Sequence, residues 1–170
     1  KLPYSYESIT LGLTCLNDLG LCQKVSEGTK SKIIQFSSKG KELWDKAADY
    51  LIDPVEKRVY CDYLATESTF AKCNINALSH YTWLNPENSL MLMMSRKELQ
   101  GLITEKVLHN MNEFDGNIMI EVWKYPVVAL LGNDNEWVDK LSLAISLRDD
   151  DDPRVEGEIE RLINELKWKD

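Results

Sequence analysis

The chain has 170 residues, is 44% hydrophobic, holds five Trp and carries a formal net charge of −8; that composition excludes a disordered tail and allows one good core or two small ones. No run approaches the roughly 18 to 20 apolar residues of a bilayer span, and no charged-then-apolar leader is apparent, so the expectation is a soluble, cytoplasmic protein with no membrane partner. The charge is uneven: residues 1–60 hold nine Lys/Arg against eight Asp/Glu, and the remainder eleven against twenty.

Any contact with a nucleic acid must therefore come from the N-terminal third, with Lys24, Lys30, Lys32, Lys39 and Lys41 meeting phosphates. The acidic remainder would repel a duplex and so help to orient the molecule on it.

In chain order, residues 1–6 read as a turn that enters a helix. Ser8 is the expected N-cap, and Ile9, Leu13, Leu16 and Leu19 fall near the spacing that gathers them on one face. Gly20 supplies a helix stop. Leu21 and Val25 begin a strand, the polar Ser26 to Lys30 tip turns the chain, and Ile33, Ile34 and Phe36 return it. Ser37 or Ser38 caps a further helix carrying Leu43, Trp44, Ala47, Ala48 and Leu51, which ends before Asp53-Pro54. Pro54 is the natural domain boundary, and Trp44 is read as core or junction packing.

Helix, Gly stop, basic-tipped hairpin and helix, from Leu2 to Trp44, resemble the later half of a bacterial MarR-like winged helix-turn-helix regulator. The resemblance implies a further helix ahead of Lys1, so that the winged helix is expected to be N-terminally truncated. It also implies a recognition segment, Tyr4, Ser5, Tyr6, Ser8, Thr10 and Leu11, in a DNA major groove, with Lys24, Lys30 and Lys32 of the wing on the backbone. Such regulators commonly carry a basic residue where Leu11 stands, and Leu11 can pair with neither a guanine edge nor a phosphate. The plain structural alternative is that these polar residues form a solvated helix start.

From Val55 the composition turns more acidic and more aromatic. Val59 to Leu64 reads as a strand or a helix end, Asn74 to Thr82 as a short Asn-capped helix, and Leu90 to Met94 as a buried strand. Ser95-Arg96-Lys97-Glu98 has the capping-box form and opens a helix expected to end near Gly101. Val107 to Met111 and Asn117 to Trp123 are strand candidates across an Asp115-Gly116 turn, which suggests a small antiparallel sheet with helices on it. Val138 to Leu147 reads as a helix. Asp152 as N-cap and Pro153 at the first position open the last one, and the acids Asp149 to Asp152 suit its positive end. The Gly-containing twelve-residue loop of a Ca²⁺ site is missing.

Within this second part, Asn76 to Thr82 resembles a helix start common to AbiEi-type antitoxins and related regulators. Ile120 to Tyr125, Val138 to Leu143 and Asp152 to Val155 resemble the tail of winged-helix proteins placed beside them. That likeness implies a DNA-binding head joined to a sensing or partner-binding domain.

Catalytic chemistry finds little support. Cys15, Cys22, Cys61 and Cys73 make no CxxC and have no zinc-type spacing with His80 or His109, so no metal or cofactor is expected, and reduced packed thiols are the simpler reading. Asp115, Glu121 and Lys124 faintly suggest a metal-dependent nuclease, but Glu121 and Lys124, three apart on a strand, point to opposite faces. His80 and Tyr81, near Thr82, could form a polar pocket, but a single His beside Tyr on a short helix is more often a satisfied structural group. No phosphate loop, nucleophile motif or HExxH is present.

The expected fold class is α+β: a partial winged helix-turn-helix over 1–53, then a small mixed domain over 54–170 with an antiparallel sheet and C-terminal helices. The expected function is that of a prokaryotic DNA-binding transcription regulator, not an enzyme, acting as a homodimer on a two-fold site. The alternative is an antitoxin-like interaction module that neutralises a basic toxin or other protein partner.

Overall fold

The computed structural model describes residues 5–27, 31–125 and 136–168. These form an α+β structure in two compact units. One is the chain up to Leu51 together with Lys167 and Trp168; the other is Ile52–Leu166. Among the described residues no helix is long and apolar enough to cross a membrane.

In the first unit, helix α1 (Tyr6–Asp18) begins one turn earlier than its periodicity suggests. Ser5 is the N-cap, not Ser8: its backbone is extended and its hydroxyl accepts from the Ser8 amide at 3.2 Å. Ile9, Leu13 and Leu16 make the half-buried stripe, while Leu19 lies past the helix end and is exposed. Gly20, at φ 71°, turns the chain out of the helix in a conformation that costs residues with a Cβ. Strands β1 (Cys22–Glu27) and β2 (Ser31–Phe36) then pair antiparallel in unbroken register, from Cys22 opposite Phe36 to Glu27 opposite Ser31. Leu21 and Cys22 are buried at the hairpin base, where the Cys22 thiol lies 3.8 Å from the Leu13 carbonyl.

Helix α2 (Gly40–Ala47) follows, with Lys39 at the N-cap and no side-chain cap; neither Ser37 nor Ser38 fills that role. Ser37 instead donates to the Leu21 carbonyl. The helix is also shorter than its apolar spacing implies, because residues Ala48–Tyr50 tighten into a 3₁₀ turn. Trp44 packs against Trp168, ring centroids 6.2 Å apart.

The second unit is built on strands β3 (Val55–Cys61), β5 (Leu90–Ser95) and β7 (Ile118–Trp123), in the order β3-β7-β5. Strand β7 runs antiparallel to β3 and parallel to β5. The sheet is therefore mixed. The expected hairpin between Val107–Met111 and Asn117–Trp123 does not form: β6 (Leu108–His109) instead pairs with β4 (Tyr63–Leu64). Gly116 explains the departure. A Cβ there would come within 2.6 Å of the Cys61 carbonyl oxygen, so this glycine lets one backbone press on another and is not the corner of a hairpin.

Both faces of the sheet are covered, which is why Leu90 to Met94 and Ile118 to Trp123 read as nearly continuous apolar runs. On one face Leu92, Met94, Ile118, Ile120 and Val122 pack with Leu99 and Leu102 of helix α4 (Arg96–Glu105). On the other, Met91, Met93, Met119 and Trp123 pack with helices α3 (Asn74–Tyr81), α5 (Lys140–Ser146) and α6 (Pro153–Asn164) through Ala77, Leu78, Leu143, Val155 and Leu162. The Ser95–Glu98 capping box opens α4 as its sequence predicts, but the helix runs past Gly101 to a left-handed Lys106. Asp139 caps α5, and Asp152 with Pro153 opens α6.

Candidate functional site

The expected DNA-facing residues cluster at the start of α1. Ser5, Tyr6, Ser8, Thr10 and Leu11 are all exposed, Tyr6 at 81% and Leu11 at 66%. Tyr4 and Lys30 lie outside the described residues, as does the side chain of Lys32. The Ser5 and Ser8 hydroxyls lie 3.1 Å apart, and the Thr10 hydroxyl donates to the Tyr6 carbonyl at 2.9 Å. Lys24 is exposed on β1 and reaches back to the Thr14 hydroxyl at 3.5 Å. α1 has no fully buried residue.

A charge partition accompanies this geometry. The first unit holds nine Lys/Arg against seven Asp/Glu and the second eleven against twenty-one. The overall balance is thus slightly positive in the first unit and strongly negative in the second.

The residues weighed for catalysis are otherwise engaged. Glu121, fully buried in β7, accepts from Arg58 Nε at 3.0 Å and Asn74 Nδ2 at 2.8 Å on one oxygen, and from Trp123 Nε1 at 3.1 Å on the other. Arg58 is its cross-strand partner on β3. Asn74 opens α3 at φ 54°, a left-handed backbone that Asn tolerates better than most residues, and its own oxygen takes the Ile75 amide. Lys124 turns away and donates to the Asp53 carbonyl at 2.8 Å. Asp115 sits in the exposed 112–115 turn. The structure does not bring Asp115, Glu121 and Lys124 to one point.

Beside Glu121, burial first and then the Glu121 carboxylate push the Cys73 thiol well above its usual range, so it stays protonated and unreactive. His80 lies flat on Trp137, centroids 4.2 Å apart, and Tyr81 donates to the Val138 carbonyl, which makes this group packing. In the acidic run, Asp150 accepts from the Asp152 amide, while Asp152 takes the Arg154 amide and guanidinium.

Arg58 and Asn74 were not singled out by their sequence context as partners of one carboxylate. The signal that existed was Glu121 itself, a lone acid inside Ile118-Met119-Ile120-Glu121-Val122-Trp123. No protein-family model, curated protein or solved structure matches the chain.

Proposed function

We propose that the chain is a DNA-binding transcription regulator of the winged-helix kind, not an enzyme. The start of α1 would enter a major groove and the β1–β2 hairpin would lie on the backbone. The observation that carries this reading is the order and state of the elements: an open helix start lined with exposed hydroxyls, a glycine stop, and a hairpin in unbroken register, all in the unit that holds the positive balance of charge. In this reading the acidic unit senses an effector or binds a partner.

A second reading is favoured by α1 itself. Exposed Tyr6 and Leu11 suit an apolar contact with a protein as well as they suit DNA, and the acidic unit would complement a basic toxin-like partner.

Binding to the protein's own promoter fragment and to a scrambled fragment, each at two salt concentrations, separates the readings. Selective binding supports the regulator. Replacing Lys24, Lys30 and Lys32 with Gln should then weaken binding to both fragments alike and reduce the salt slope by about 0.9 for each phosphate no longer neutralised. Weak binding, equal on both fragments, removes the regulator reading and leaves the interaction module.

A further inference from the structure

We infer that the second unit carries a binding site for a small organic oxyanion, a carboxylate or phosphate monoester on an apolar body, in the groove beyond the carboxyl ends of β5 and β7. The groove is shallow and open to solvent, with about 610 Å³ of space along Glu56, Ser95, Arg96, Lys97, Trp123, Lys124 and Tyr125. Because β5 and β7 run parallel, their last residues, Ser95 and Trp123, stand side by side at one end of the sheet.

The charge of the lining specifies the class of ligand. The unit as a whole has eleven Lys/Arg against twenty-one Asp/Glu, yet this groove holds three cations and one acid. Arg96 and Glu56 pair with each other. Lys124 donates to a neutral main-chain carbonyl, so its charge keeps no counter-ion there. Lys97 is exposed and has no ion pair among the described residues. Two positive charges are thus left over in an otherwise acidic body, and surrounding anions repel any ligand charge that fails to reach them. The start of α4 does not supply the attraction, since Glu98 already occupies it through the capping box. The half-buried Tyr125 ring, backed edge to face by the buried Trp123 at 6.0 Å, offers the apolar body a surface beside the lysine stems.

The groove lies wholly within the second unit, so the inference stands or falls separately from DNA binding. The full chain, ¹⁵N-labelled, is titrated with benzoate, phenyl phosphate and neutral benzyl alcohol while the Arg96, Lys97, Lys124 and Tyr125 amides are followed. At least one of the two anions should give saturable shifts at these positions with Kd of about 1 mM or tighter. Lys97→Glu with Lys124→Gln should weaken it about tenfold; if that pair perturbs the fold, Lys97→Glu alone, on an exposed side chain, should weaken it several-fold. The site is overturned by any of three results: no saturable shift from either anion, equal shifts from benzyl alcohol, or unchanged affinity in a folded variant.

Discussion

Replacing Glu121 with Ala tests how the second unit holds its buried charge. The substitution strands three donors, but not equally. Asn74 Nδ2 and Trp123 Nε1 are inside, and each loses its acceptor at a cost of about 1–3 kcal/mol. The Arg58 side chain is 43% exposed and can turn to water, so its share is small. Removing a carboxylate that was costly to bury returns part of the loss, which leaves a net destabilisation of about 2–4 kcal/mol. At about 2–4 °C per kcal/mol for a chain of this size, the melting temperature should fall on the order of 10 °C. Glu121→Gln keeps one acceptor oxygen but aims an amide N–H at a donor, and should cost about 1–3 kcal/mol. Arg58→Met should cost least of the three. Urea unfolding followed by circular dichroism and Trp fluorescence gives the ranking. If Glu121→Ala falls within about 1 kcal/mol of the parent, or Arg58→Met is equally damaging, the buried donors are not what the carboxylate serves.

Two further outcomes follow from local geometry. Gly116→Ala should destabilise by about 1–3 kcal/mol, since its Cβ meets main-chain atoms of Cys61 that have nowhere to go; Gly157→Ala in α6, with nothing within 4 Å, should stabilise by about 0.5–1 kcal/mol, and parity between the two in urea melts would contradict the close approach. The Arg154 side chain and then its amide hold Asp152 below the usual carboxylate range. Its folded pKa is thus the lower one, so its support for the α6 start is present above the unfolded carboxylate pKa and is lost as pH falls through the depressed value. Amide exchange at Val155 and Glu156 should quicken over that interval, and Asp152→Asn should flatten the response.

Much of the architecture was legible wherever its cause is local. Ser95 and Glu98 close a capping box within four residues, Asp152-Pro153 starts α6, and Gly20 stops α1, because each effect is settled by backbone groups a turn away. Pairing is different. The Asp115-Gly116 sequence suits a hairpin on its own merits, but β7 has two better partners: β3 about sixty residues earlier and β5 nearly thirty earlier. Burying both faces of β7 outweighs a two-residue turn, and no local propensity encodes that choice. The Glu121 cluster was hidden for the same reason, since its partners Arg58 and Asn74 are 63 and 47 residues away.

Net charge is the weakest guide to either candidate site, because it averages over surfaces that attract and repel. A total of −8 argues against polyanion binding only if the charges are mixed, and here they are sorted. The first unit keeps a small positive balance beside the exposed start of α1. The second is acidic, yet three of its eleven basic side chains line one groove. Within about 8–10 Å, the screening length at moderate salt, it is these local balances that a phosphate or carboxylate meets. Both candidate sites should therefore weaken as salt rises, but by different amounts: a duplex releases several counterions on binding, whereas a single small oxyanion meets only two unpaired lysines.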